Sequence, residues 1–250
     1  MRNLNMIVAT ALLALVPSGF AWSQQKPDPG QHAQTFEKQI TVKLNYLLFL
    51  PEDYGKDPEK KWPLILFLHG AGERGDDVNK VKVHGPPKIV ETRKDFPFIM
   101  VSPQCPANSW WNPFELNALL DSVMASNKVD PDRVYLTGLS MGGFGTWEMI
   151  SRYPQRFAAI APICGAGNPA MVRRFKDVPA WVFHGDKDPT VPVSNSDDMV
   201  EAMKKAGCEV KYTRYEGVGH DSWTASYANQ ELYDWFLAHK RGEKKAAEKK

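Results

Sequence analysis

The sequence predicts an α/β protein with a mostly parallel central sheet, antiparallel strands at its N-terminal edge and helices on both faces. Three observations carry that expectation. Apolar runs without alternation, such as Trp62 to Leu68 (WPLILFL) and Phe96 to Val101, are of the kind covered on both faces in a parallel sheet. Segments with apolar residues at helical spacing separate these runs, the pattern of successive βαβ units. Glycine-rich loops follow the runs at the strand ends where open α/β sheets hold their ligands.

In chain order, Arg2, the apolar run Met6 to Val16 and the small-x-small triplet Ala21-Trp22-Ser23 have the pattern of a signal peptide, residues 1–23, cleaved near Ser23. The run is shorter than the roughly 20 apolar residues that cross a bilayer, so a secreted or periplasmic protein with no stable membrane anchor is expected. One domain is expected over 24–240. From Gln34 to Leu50 the pattern alternates and then turns apolar, which suits antiparallel edge strands. The Asp53 to Lys61 stretch is a turn, Trp62 to Leu68 a buried strand, and Lys88 to Thr92 a short helix. Phe96 to Val101 is the next strand. Leu116, Leu119, Leu120, Val123 and Met124 then define a helix over Phe114 to Ser126.

The strand through Val134, Tyr135 and Leu136 runs into a helix that Pro154 ends after Tyr153. Phe157 to Ile163 and Val178 to Phe183 read as strands, and the loop between them is too short for a large lid. Ser194 to Ala206 is a helix stopped at Gly207. Glu209 to Tyr215 is a strand, and Tyr227 to Ala238 is the closing helix. From Lys240 to Lys250 there are six basic and two acidic residues, a net +4, and residues 241–250 read as a charged tail with nothing to bury.

With 43% hydrophobic residues and a net charge of +2 over 250 residues, the chain is an ordinary globular protein and not a general nucleic-acid binder. Its three cysteines, Cys105, Cys164 and Cys208, are too few and too scattered for a disulfide framework or a metal site; one bridge or buried free thiols are both compatible with their spacing.

The chemistry centres on Gly138-Leu139-Ser140-Met141-Gly142, a G-x-S-x-G pentad between a strand and a helix. A serine on so tight a turn needs glycines on either side to let neighbouring backbone approach, and its hydroxyl is presented at the sheet end. A serine hydroxyl also needs a base and an orienting carboxylate. His220, after the last strand, is the candidate base. Asp188, followed by the stiff Pro189 and Val191-Pro192, is preferred over Asp186 as the acid; Asp186 is expected to brace the turn. The catalytic order is then Ser140, Asp188, His220. An oxyanion hole needs two N–H donors, for which Met141 and Ala71 in the His69-Gly70-Ala71-Gly72 loop are the candidates. Glu73 and Arg74 either pair with each other or meet substrate, and Trp110 and Trp111 form a pocket wall or a hydrophobic cover; Glu73, Trp110 and Trp111 are the substrate-contact candidates.

Taken together, HGAGERG after the third expected strand, PQCP after the fourth, GLSMGG, HGDKDPTVP and GVGHDSW resemble the α/β-hydrolase superfamily. Within it the chain is similar to the secreted esterase and peptidase-like group related to polyhydroxybutyrate depolymerases, feruloyl esterases and dienelactone hydrolases. The resemblance covers roughly Gln34 to Lys240, and serine at position 140 separates the chain from dienelactone hydrolases with a cysteine nucleophile. It implies a serine hydrolase without metal or organic cofactor, cleaving short acyl or aromatic esters, small-molecule or polymer-linked, with plant cell-wall polysaccharide as a candidate carrier in preference to long-chain lipids. A serine peptidase, or a non-catalytic binding protein on the same scaffold, are the alternatives.

Overall fold

In a computed structural model, residues 29–243 can be described. The signal-peptide expectation and all but the first three residues of the expected charged tail lie outside them. Two units are distinguished along the chain, residues 1–40 and 41–250. Of the first, residues 29–40 carry no strand or helix and are exposed throughout.

The second unit holds a seven-stranded sheet. Its strands are β1 (Tyr46–Phe49), β2 (Trp62–Leu68), β3 (Ile99–Pro103), β4 (Val129–Leu139), β5 (Ala159–Ile163), β6 (Ala180–Gly185) and β7 (Val210–Tyr215). Their spatial order is β1-β3-β2-β4-β5-β6-β7. Only β1 is antiparallel, pairing with β3 from Tyr46 opposite Pro103 to Phe49 opposite Met100; the other pairs are parallel. This is a mostly parallel α/β sheet of the expected kind.

Alternation along the strands divides the interior into two cores. From β2, Leu64, Leu66 and Leu68 join Val134 and Leu136 of β4 and Val182 of β6 on one face. Ile65 and Phe67 join Tyr135, Ala161, Trp181 and Phe183 on the other. Every residue of β2 is buried, which is why its sequence shows no polar position. The first core is closed by helices α2 (Pro113–Ser126), α3 (Met141–Arg152) and α4 (Ser194–Lys205), through Leu116, Leu120, Trp147, Ile150, Met199 and Met203. The second is closed by α5 (Trp223–Ala228) and α6 (Gln230–Leu237), through Tyr227, Leu232, Tyr233 and Phe236. Among the described residues, no helix is long and apolar enough to cross a membrane.

Three expectations need correction. The antiparallel strands expected over Gln34 to Leu50 reduce to β1 alone, because the segment from Gln34 to Ile40 is exposed throughout and, among the described residues, has no strand to pair with. HGAGERG therefore follows the second strand and PQCP the third. The helix expected over Lys88 to Thr92 is α1, Gly85–Ile89, where Pro86 and Pro87 occupy the first turn and preset its φ. The single closing helix is two, because Asn229 leaves the helical conformation and its side chain accepts from the Glu231 N–H to cap α6.

Candidate active site

Ser140 sits between β4 and α3 with φ 51° and ψ −118°, a backbone conformation L-residues rarely adopt. Its N–H donates to Ile163 O at 3.0 Å, and its carbonyl accepts from the Phe144 N–H at 3.1 Å. The flanking glycines are required by space. A Cβ on Gly138 would stand 2.4 Å from Gly142 O, and one on Gly142 only 1.9 Å from Leu68 O. The turn is therefore pressed against the end of β2.

The structure brings Ser140, His220 and Asp188 together. His220 Nδ1 lies 2.7 Å from Asp188 Oδ2, and its Nε2 lies 2.9 Å from Ser140 Oγ. With Nδ1 donating to the carboxylate, Nε2 is left as the acceptor for the serine hydroxyl. Burial pushes the Asp188 carboxyl up, but hydrogen bonds from His220, Val191 N–H and Thr190 N–H outweigh it, and its pKa lies below the ordinary value. The two N–H groups reach Oδ1 at 2.9 and 2.8 Å. Contact between the two loops depends on Gly185, where a Cβ would lie 2.3 Å from both Val218 O and Gly219 O. Asp186 braces that junction, accepting from Gly217 N–H at 2.7 Å.

One residue at this junction was missed from sequence. His184 is fully buried, with Nε2 2.9 Å from Val191 O and 3.2 Å from Asp188 Oδ2. A nitrogen facing two oxygens carries the proton, so His184 donates toward the carboxylate while Nδ1 accepts from Ser196 Oγ at 2.7 Å. The only available signal was its place at the end of a buried strand, beside the expected acid.

Met141 opens α3, so its N–H has no partner within the helix, and Ala71 opens the 3-10 turn Ala71–Glu73 in the same way. A Cβ on Gly70 would lie 2.9 Å from Leu139 Cδ1 and 3.8 Å from Ser140 Cβ, so this loop passes beside the serine. His69 holds it: Nε2 accepts from Cys105 N–H at 2.9 Å and Nδ1 donates to Gly70 O at 2.6 Å. Burial lowers the His69 pKa to about 4 and keeps the ring neutral. Arg74 adds hydrogen bonds to Ala71 O at 3.0 Å and Ser109 O at 3.1 Å.

The remaining candidates separate. Glu73 does not pair with Arg74; it is buried, with Oε2 3.7 Å from His69 Nδ1 and Oε1 3.9 Å from His84 Nε2, and Oε2 has no hydrogen-bond partner. Trp111 is not a pocket wall: only 4% exposed, it donates to His69 O at 3.2 Å and packs its ring against Gly145, where a Cβ would come within 2.8 Å. Trp110 is 55% exposed, meets Phe144 edge-on at 5.9 Å, and lines a cleft of about 620 Å³ along α3. All three cysteines are free. Among the described residues, Cys164, Asp188 and His220 offer metal-ligand atoms within 4.8 Å of one another. Burial raises the Cys164 thiol to about 12, so it is protonated and a poor ligand.

Comparison with known proteins gives a match to the Dienelactone hydrolase family over residues 112–250. The chain is 27% identical over 205 residues to poly(3-hydroxyalkanoate) depolymerase C of Paucimonas lemoignei, with 62% of this chain and 45% of that protein covered. It is also 27% identical over 219 residues to poly(3-hydroxyoctanoate) depolymerase of Pseudomonas fluorescens, covering 74% and 77%. A solved thermostable esterase superposes with a TM-score of 0.71 at 38% identity, over 84% of this chain and 63% of that one. The chain thus spans about half the length of the first relative and under two thirds of the esterase.

Proposed function

The chain belongs to the dienelactone hydrolase family, and from that premise we propose that it is a secreted carboxylic ester hydrolase working through an acyl-enzyme on Ser140. The observation that carries this reading is the unbroken hydrogen-bond line from Ser140 Oγ through His220 to Asp188, at 2.9 and 2.7 Å. The hydrolase unit is taken as residues 24–240, with residues 1–23 as an export signal.

His220 Nε2 takes the hydroxyl proton as Oγ attacks the ester carbonyl carbon. The resulting oxyanion is held by the N–H groups of Ala71 and Met141, each worth about 3 kcal/mol of barrier. Collapse expels the alcohol, which leaves with the proton from His220. Water then attacks the acyl-enzyme, His220 accepts its proton, and Ser140 departs as the alkoxide that this proton neutralises. Asp188, held ionised by its hydrogen bonds, keeps the imidazole oriented and stabilises its charged form. Named esterases and depolymerases among the similar proteins support the ester over the amide as substrate.

The reading is tested with p-nitrophenyl acetate and a fluorophosphonate probe. Wild-type protein is expected to turn over the ester and take the label on Ser140, and Ser140→Ala to lose both while keeping its far-UV spectrum. Cleavage of peptides but not esters, or turnover surviving in the variant, overturns it.

A further inference from the structure

A cleft of about 620 Å³ runs beside α3, in the size range of ligand sites, and contains none of the three proposed catalytic side chains. It is nevertheless continuous with their position along the chain. Phe144, at its near end, lies one helical turn past Ser140 and donates its N–H to the Ser140 carbonyl. From Phe144 to Arg152 the lining follows α3 for roughly 12 Å. The near end of the trough is thus one helical turn from the proposed nucleophile.

The lining is chemically mixed. Trp110 stands edge-on to Phe144 and is 55% exposed, leaving a large aromatic surface facing water. Beyond it, the Tyr153 hydroxyl, the Asn168 amide nitrogen and the Arg174 guanidinium line the cleft, and none of them has a hydrogen-bond or ion-pair partner among the described residues. Glu148 adds a carboxylate, of which Oε1 is engaged by Arg152 at 2.9 Å. Sugar rings present apolar C–H faces to an aromatic surface and hydroxyls that both donate and accept. A polyester chain offers acceptors alone, and nothing for the Glu148 carboxylate.

We propose that this cleft is a subsite for the sugar chain of an acylated polysaccharide, with Trp110 as its stacking platform and Tyr153, Asn168, Arg174 and Glu148 as its hydrogen-bonding rim. The assignment of the chain as substrate rests on the esterase reading above; the carbohydrate site itself does not.

The experiment compares kcat/KM on soluble acetylated xylan with kcat/KM on p-nitrophenyl acetate, and measures xylohexaose binding by calorimetry. Trp110→Ala is expected to lower the xylan-to-acetate ratio about ten-fold, Tyr153→Phe about three-fold, and Trp110→Ala to abolish xylohexaose binding. Unchanged fluorophosphonate labelling at Ser140 checks that each variant is folded. Ratios that stay constant, absence of xylohexaose binding to wild type, or a ratio that falls only for a poly(3-hydroxybutyrate) suspension each overturn the proposal. Wild-type protein that binds xylohexaose through Trp110 yet cleaves neither ester leaves the carbohydrate site standing and removes the esterase reading.

Discussion

At Ser140 the backbone strain and the proposed chemistry are separable. The φ of 51° with ψ −118° costs an L-residue of order 1–3 kcal/mol, and alanine carries the same Cβ as serine. Ser140→Gly is therefore expected to unfold about 1 kcal/mol later than Ser140→Ala in urea, although both are inactive. His69 gives a second single-residue expectation. Its folded pKa of about 4 lies below the ordinary 6.5, so the unfolded chain binds the extra proton and stability falls as pH drops from about 6.5 to 4. At pH 5 the loss from this residue is about 2 kcal/mol relative to pH 8. Urea midpoints at the two pH values check it, and the slope should be shallower in His69→Gln. The neighbouring residues also show where sequence reading stops. Trp110 and Trp111 are adjacent in a loop, and which ring turns inward is decided by Gly145, more than thirty residues away, leaving room for one of them. Glu73 likewise faces His69 and His84 rather than the Arg74 next to it, a choice made by the path of the loop.

Among the elements, those with both faces buried were legible because burial imposes a composition that solvent cannot explain. β2 and the strand end of β4 are of this kind. Ends and breaks were harder to read. The cap at Asn229 competes with a helical pattern that runs straight across it, and one side-chain oxygen decides the outcome. β1 depended on a partner strand more than fifty residues further along, which local patterning does not contain. The junction of the β6 and β7 ends offers an element-scale test. Gly185→Ala would put a methyl group 2.3 Å from Val218 O and Gly219 O, so the His220 loop must retreat while the strands stay paired. The expected result is about a 100-fold drop in kcat on p-nitrophenyl acetate with an unchanged far-UV spectrum. A variant with wild-type kcat would mean that the loop's position does not govern the reaction.

Across the whole molecule, the proposed order nucleophile, acid, base could be read because each side chain follows a different strand, and the parallel sheet gathers those ends at one rim. What could not be read is the buttressing behind them, such as His184, because the motif that contains it does not show how the turn folds the Asp188 carboxylate and the Val191 carbonyl back onto its ring. The same scale governs redox behaviour. With all three thiols free, reductant should leave Tm unchanged, and the denatured chain should titrate three thiols without prior reduction. The close approach of Gly142 to the carbonyls of Leu68 and His69 has a last consequence. It locks the start of α3 to the residues that lead into Gly70 and Ala71, so both proposed anion-binding amides share one rigid reference. An incoming carbonyl meets a preset receptor, and turnover of a small ester should be indifferent to the viscosity of the medium once diffusion is allowed for.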